Sequence, residues 1–195
     1  MMISAIILAA GQATRFGQSK QLTPLRGKPL LQHVVESVNA SRADDVIIVL
    51  GAYADEIRAQ LHFGRARPVL NAAYAEGMST SIRAGLRAMG EDTEAAMIVL
   101  GDEPFVRTRT VDDLIEEYER TRAAAVIPTH KGIRGNPVIV DRRLFPEMMN
   151  LRGDVGCRAI FADYAGSIVK LAVDDGGVLA DIDRVDDLPR SESKE

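Results

Sequence analysis

Two hydrophobic rhythms alternate along the chain. Continuous apolar runs of strand length fall at Ser4–Ala9, Asp45–Leu50, Ala96–Leu100, Ala123–Ile127, Pro137–Val140 and Ile168–Val173, with a weaker run at Pro68–Leu70. Between them, apolar residues recur every three or four positions, the period of a helix with one buried face. Leu30, Leu31, Val34, Val35 and Val38 form one stripe behind Pro29, which this pattern places at a first helical position. Residues 55–61 predict a short second helix, and Ile82, Leu86 and Met89 mark a third. Thr110 to Asp113 reads as a capping box ahead of the stripe Val111, Leu114, Ile115 and Tyr118. Arg120 and Arg122 close that helix, where its dipole favours cations.

Strands that are apolar throughout are buried on both faces. Their alternation with helices predicts an α/β fold with a mostly parallel central sheet. Ligands of such sheets bind beyond the carboxyl ends of the strands. The longest glycine-bearing loops, 128–137 and 150–156, are therefore expected to meet substrate. No repeat or linker divides the 195 residues, which predicts one domain over 1–188 and a polar tail over 189–195.

Composition narrows the function. Net charge is −4 and tryptophan is absent, so neither a basic surface nor a base-stacking platform for nucleic acid is expected. The apolar start of the chain lacks a basic flank and is too short to span a membrane, so it reads as a buried strand. The single cysteine, Cys157, excludes an internal disulfide and fits a reducing, cytoplasmic setting. The three histidines predict no cluster: His33 falls on a polar helix face, His62 at a helix end and His130 in a loop.

The chemistry concentrates at strand ends. After the first strand, Leu8-Ala9-Ala10 leads into a loop opened by Gly11 and closed by Gly17, with Thr14, Arg15 and Phe16 inside it and Lys20 just beyond. Glycine lets backbone N–H groups approach an oxyanion, and Arg and Lys neutralise its charge. The spacing is neither a Walker loop nor a dinucleotide fingerprint. A second strand ends at Gly101 and delivers Asp102 to the same sheet edge, where a carboxylate suits Mg²⁺ or caps a turn. Asp181 and Asp183 alternate around Ile182, and either can complete a two-carboxylate metal site. Gly77-Met78-Ser79 offers backbone donors at a helix start. Arg134 to Pro137 and Gly153 to Arg158 form a second glycine-rich region, with Arg158 able to meet another anion.

In this order and spacing the segments resemble the molybdenum-cofactor nucleotidyltransferases, most closely the cytidylyltransferase branch. The resemblance rests on Leu8-Ala-Ala-Gly-x-x-x-Arg-Phe-Gly17 with Lys20, Gly27-Lys-Pro-Leu30, Gly77-Met-Ser-x-Ser81, Gly101-Asp-x-Pro104, and the set Gly135-x-Pro137, Gly153-Asp-x-Gly156 and Asp181-Ile-Asp183. It implies a three-layer α/β/α fold of the nucleotide-diphospho-sugar transferase type. It further implies Mg²⁺-dependent transfer of CMP from CTP to the terminal phosphate of molybdopterin, with a molybdenum hydroxylase as eventual recipient. By the same resemblance, Leu8–Gly11, Thr14–Gly17 and Lys20 hold the nucleotide, with Arg15 and Lys20 on the triphosphate. Gly77, Met78 and Ser79 face base and ribose, and Asp102 with Asp183, ahead of Asp181, hold the metal. Asn136, Gly153, Asp154, Gly156 and Arg158 lie on the acceptor side. Glu103 stands where the family commonly has Gln, which predicts an added negative charge, and Cys157 stands where Ala is common. The rival expectations are a GTP-dependent guanylyltransferase, a sugar- or alditol-phosphate nucleotidyltransferase, and a non-catalytic cofactor-binding chaperone.

Overall fold

The computed structural model describes residues 1–12 and 19–182. Thr14, Arg15, Phe16, Gly17 and Asp183, with the chain after it, lie outside the described residues. In chain order the elements are β1 (Met2–Ala9), β2 (Pro24–Leu25), β3 (Lys28–Pro29), α1 (Leu30–Asn39), β4 (Asp45–Leu50), α2 (Ala54–Gln60), β5 (Arg67–Leu70) and α3 (Met78–Ala88). They continue with β6 (Thr93–Leu100), α4 (Thr108–Thr121), β7 (Ala125–His130), β8 (Ile133–Arg134), β9 (Val138–Asp141), α5 (Phe145–Asn150) and β10 (Ile168–Ala172).

The main sheet runs β10-β7-β9-β6-β1-β4-β5, with β8 paired to the end of β7, while β2 and β3 form a separate hairpin. The pairs β1–β4, β1–β6, β4–β5 and β7–β10 are parallel. The sheet is mostly parallel, as expected, but β9 runs antiparallel to both β6 and β7. The connection from β7 to β9 is short, and a parallel return would need a long crossover.

The period-two alternation of β1 feeds two cores. Ile3, Ala5, Ile7 and Ala9 pack with Leu31 and Val34 of α1, Ile57 of α2 and Leu114 of α4. Ile6 and Ala10 face Ile82 and Leu86 of α3 and Met148 of α5. Helices thus cover both faces, giving the expected three layers.

Local differences have local causes. The first helix opens at Leu30 rather than Pro29, because Pro29 closes β3 in an extended conformation (φ −54°, ψ 142°). The capping box is absent: α4 opens at Thr108, and Thr110 already lies inside its first turn. Buried Asp175 serves that helix start instead, accepting the Arg107 N–H at 2.9 Å and the Thr110 hydroxyl at 2.6 Å. The predicted loop 128–137 is largely a hairpin, in which β7 extends to His130 and pairs with β8 across Lys131 and Gly132. His33 is half-buried rather than solvated, with Nε2 2.8 Å from the Leu25 carbonyl oxygen.

Candidate active site

The sheet changes winding direction beside β1. From β1 the chain proceeds outward to β4 and β5, then crosses back to β6 on the other side. A crevice opens where strand order reverses in this way. Leu8 and Leu100 are register partners at its floor, and the Gly101 N–H donates to the Leu8 carbonyl at 3.0 Å. A Cβ on Gly101 would stand 2.7 Å from that carbonyl oxygen, so only glycine permits the close exit. The residues that follow each strand, Ala9 to Gly11 and Gly101 to Asp102, therefore leave side by side.

Lys20 enters this crevice from a 3₁₀ turn, Lys20–Leu22. Its Nζ donates to Asp102 Oδ2 at 2.8 Å, and the two side chains are 12% and 34% exposed. The predicted cation and the predicted metal carboxylate, 82 residues apart, are in direct contact. Asp102 is also tied to the end of the described chain, because Ile182 donates its N–H to the Asp102 carbonyl at 3.0 Å. Ile182 is held there by a small apolar cluster with Leu25, Leu30 and Phe105. The β2–β3 hairpin, which the sequence pattern did not reveal, thus helps to bring Asp181 towards Asp102.

Among the described residues, no group of three or more His, Cys, Asp or Glu is assembled to hold a metal ion. Asp102 nevertheless offers carboxylate oxygens of the kind a hard divalent cation takes, and Lys20 holds one of them. The second expected ligand, Asp183, lies outside the described residues.

Glu103 does not add the expected charge at neutral pH. It is 4% exposed, and burial pushes its carboxyl up to about 8. A hydrogen bond from Asn136 opposes that rise, while the neighbouring Asp102 and Asp181 add to it. Asn136 Nδ2 donates to Glu103 Oε1 at 2.9 Å, whereas Oε2 is buried without a protein partner. Neutral and hydrogen-bonded, Glu103 can play the part of the Gln it replaces. Next to Asp102 in the chain, it anchors Asn136, a role the sequence reading missed: an acid between Asp102 and Pro104 was visible, but its burial was not.

Beyond Asn136 lies a cavity of about 250 Å³. Ile82, Ile98, Leu100 and Val138 contribute its apolar lining, and Arg134 and Arg158 its cations. The Arg134 guanidinium lies over the Phe161 ring, 4.9 Å from the centroid. Cys157 also lines the cavity, and burial pushes its thiol up to about 12, so it stays protonated.

The two glycine loops meet each other. Gly77 has φ +107°, and a Cβ there would lie 2.4 Å from the Gly153 carbonyl carbon. Gly153 O accepts the Ser79 N–H at 3.2 Å, and Asp154 Oδ1 accepts the Met78 N–H at 3.3 Å. The helix-start donors expected to face nucleotide are therefore engaged by the loop expected on the acceptor side. Ser79 is completely buried, whereas Met78 remains exposed and lines the cavity.

This fold, with a cation–carboxylate pair at its switch point, defines a nucleotide-handling α/β enzyme. The chain belongs to the MobA-like NTP transferase domain family, whose model matches residues 5–168. It is a nucleotidyltransferase by family. Rv0371c from Mycobacterium tuberculosis H37Rv has a similar structure, with TM-score 0.86 and 27% identity over 96% of this chain and 95% of that one. A structure of Rv0371c in complex with manganese gives TM-score 0.80 at 26% identity, covering 96% of both chains. Nicotine blue oxidoreductase of Paenarthrobacter nicotinovorans is 27% identical over 96% of this chain and 95% of its own length. The bifunctional protein GlmU of Brevibacillus brevis is 34% identical over 65% of this chain, which spans only 28% of that protein. Among the described residues no helix is long and apolar enough to cross a membrane.

Proposed function

We propose that the protein transfers CMP from CTP to the terminal phosphate of molybdopterin and releases pyrophosphate. The observation that carries this reading is the Lys20–Asp102 contact at the β1/β6 switch point. An ionised acceptor oxygen attacks the α-phosphorus in line, the bond to the β-phosphate oxygen breaks, and pyrophosphate departs. The attacker is already deprotonated at neutral pH, so no general base is needed. The remaining obstacle is charge crowding, which Lys20 and Arg15 relieve by position and charge. Asp102 and Asp183 would hold Mg²⁺, which supplies further neutralisation of the phosphates when bound. Asn136, held by Glu103, and the cavity beside it serve the acceptor.

The test is pyrophosphate release from a panel of nucleoside triphosphates, with and without molybdenum cofactor. Release that needs CTP and the cofactor together supports the assignment. A preference for GTP, or turnover with a sugar or alditol phosphate, reassigns the substrate. Absence of turnover with all acceptors would favour a cofactor-binding chaperone. The same panel should include a redox assay, because a full-length relative carries an oxidoreductase name.

A further inference from the structure

The reaction proposed above makes no use of three polar side chains, Asn71, Thr80 and Ser81, which are only 5%, 4% and 6% exposed. They stand where the loop after β5 turns into α3. Asn71 is fixed to the sheet, because its N–H donates to the Leu50 carbonyl at the end of β4, at 2.8 Å. Buried polar groups need matched partners, and here the matching sets a direction. Asn71 Oδ1 accepts the Ala73 N–H at 3.1 Å. A backbone N–H can only donate, so this contact settles which end of the amide is oxygen. Nδ2 then donates to Thr80 Oγ1 at 2.8 Å and to Ser81 Oγ at 3.1 Å. The Thr80 oxygen accepts from Asn71, so its own proton goes to backbone carbonyls, Gly77 at 2.9 Å and Ala73 at 3.0 Å.

The consequence falls on the Gly77–Met78 peptide. Gly77, at φ +107°, leaves the plane of that peptide free to turn. Thr80 removes the freedom by giving the Gly77 oxygen two donors, its hydroxyl and its N–H, the latter at 3.1 Å. Carbonyl and N–H of a planar trans peptide point in opposite directions. Holding the Gly77 oxygen inward therefore turns the Met78 N–H outward, where Asp154 Oδ1 accepts it at 3.3 Å. Asp154 is exposed, so an acceptor oxygen on a ligand can take its place. The same loop packs beside the end of β1. Tyr74 Cβ and Ala10 Cβ each lie 2.8 Å from the point that a Cβ on Gly51 would occupy.

We propose that Asn71 and Thr80 are positioning residues for the nucleotide: through the Gly77 carbonyl they aim the Met78 N–H at an acceptor oxygen of the base or ribose. Neither side chain touches the ligand. Asn71 orients the Thr80 hydroxyl, and the hydroxyl orients the peptide. This rests on the reading in which Gly77 to Ser79 face the nucleotide, and it deepens that reading by assigning what holds the loop in its binding orientation.

The test titrates CTP, GTP and pyrophosphate, each with Mg²⁺, into the full chain by calorimetry. Pyrophosphate lacks base and ribose and reports the phosphate end alone. Thr80→Val keeps the shape and loses the hydroxyl. It should weaken the tighter-binding nucleotide about tenfold, the worth of one hydrogen bond, and leave pyrophosphate unchanged. Thr80→Ser restores the hydroxyl and should restore the affinity. Asn71→Asp keeps the Ala73 contact but replaces the amide donor with an acceptor, which draws the Thr80 proton away from Gly77. It should match Thr80→Val and serves as the second variant if that one fails to fold. Ser81→Ala removes the Asn71 contact that reaches no loop carbonyl, and should bind nucleotide as wild type does. In turnover, Thr80→Val should raise nucleotide KM and spare kcat, because base and ribose contacts are made equally in ground and transition states. Without ligand, the Met78 amide resonance should shift in Thr80→Val and Asn71→Asp and return in Thr80→Ser. Unchanged nucleotide affinity in Thr80→Val and Asn71→Asp would overturn the proposal, as would an equal loss of nucleotide and pyrophosphate. A wild type that binds no nucleoside triphosphate would overturn the underlying reading and the proposal together, so the two failures are told apart by the wild-type titration.

Discussion

Lys20 Nζ lies 2.8 Å from Asp102 Oδ2, so the cation expected to meet the triphosphate occupies the carboxylate expected to hold the metal. Removing one member of a shielded pair leaves the other charge uncompensated. A divalent ion therefore has to compete with Lys20 until nucleotide supplies Lys20 with phosphate oxygens. Free protein should bind Mn²⁺ weakly, and CTP should tighten it. Lys20→Met should raise nucleotide-free affinity roughly tenfold, a gain of about 1.4 kcal/mol. Paramagnetic resonance of free Mn²⁺ measures this without turnover; an unchanged affinity would mean that Lys20 does not guard the site. In turnover, Lys20→Ala should lower kcat more than it raises KM, because the charge it meets grows in the transition state. Asp102→Ala should abolish pyrophosphate release in a folded protein.

Base choice is expected to depend on the end of β1. GTP-using relatives of the resembled family typically have Gly where this chain has Ala10. Ala10 is 3% exposed, and its Cβ lies where a Cβ added to Gly51 would approach to 2.8 Å. The methyl group is thus buried against the residue that follows β4. One methyl discriminates by only roughly 1–3 kcal/mol. CTP should be used better than GTP, and Ala10→Gly should narrow the ratio of their kcat/KM values. A ratio that favours GTP in wild type would sink the cytidylyl reading.

Glu103→Gln should be well tolerated. At neutral pH the native carboxyl is already largely protonated, since burial raises it to about 8. The amide retains a hydrogen bond to Asn136 and removes an acid that would have to be buried in charged form at higher pH. Its melting temperature at pH 8 should equal or exceed that of wild type. Glu103→Leu should instead raise acceptor KM, because Asn136 loses its partner. A lower melting temperature for the Gln variant would contradict the neutral-acid assignment.

Asp175 carries a stability signature in acid. Burial works to raise its pKa, but Thr110, the N–H groups of Arg107 and Gly177, and the Arg107 guanidinium lower it on balance. A folded-state pKa below the unfolded value means stability that is fully present above about pH 4. That contribution is lost as pH falls through the folded pKa. Asp175→Ala should cost about 3 kcal/mol at pH 7, because buried donors lose their acceptor. Denaturation of wild type and variant across this range should show the difference shrinking in acid; a constant difference would refute ionic stabilisation.

Continuous apolar runs and helical stripes determined β1, β4 and β6 and the buried faces of α1 and α4. Those patterns depend on local periodicity, and each segment carries its own. The motif residues Lys20 and Asp102 were equally legible, because glycine and charge stand where strands end. What periodicity does not encode is pairing between distant segments. The direction of β9, the use of Asp175 rather than Thr110 at the start of α4, and the clasp of Gly77 by Gly153 and Asp154 arise from contacts across long sequence separations. The same is true of Glu103, whose charge state follows from its burial, and of Arg134, which lies over the Phe161 ring because β8 meets the 157–167 segment. The sequence by itself determined which chemical groups were present at the strand ends. Only tertiary packing decided which of them touch, because contact and desolvation are properties of the assembled interior.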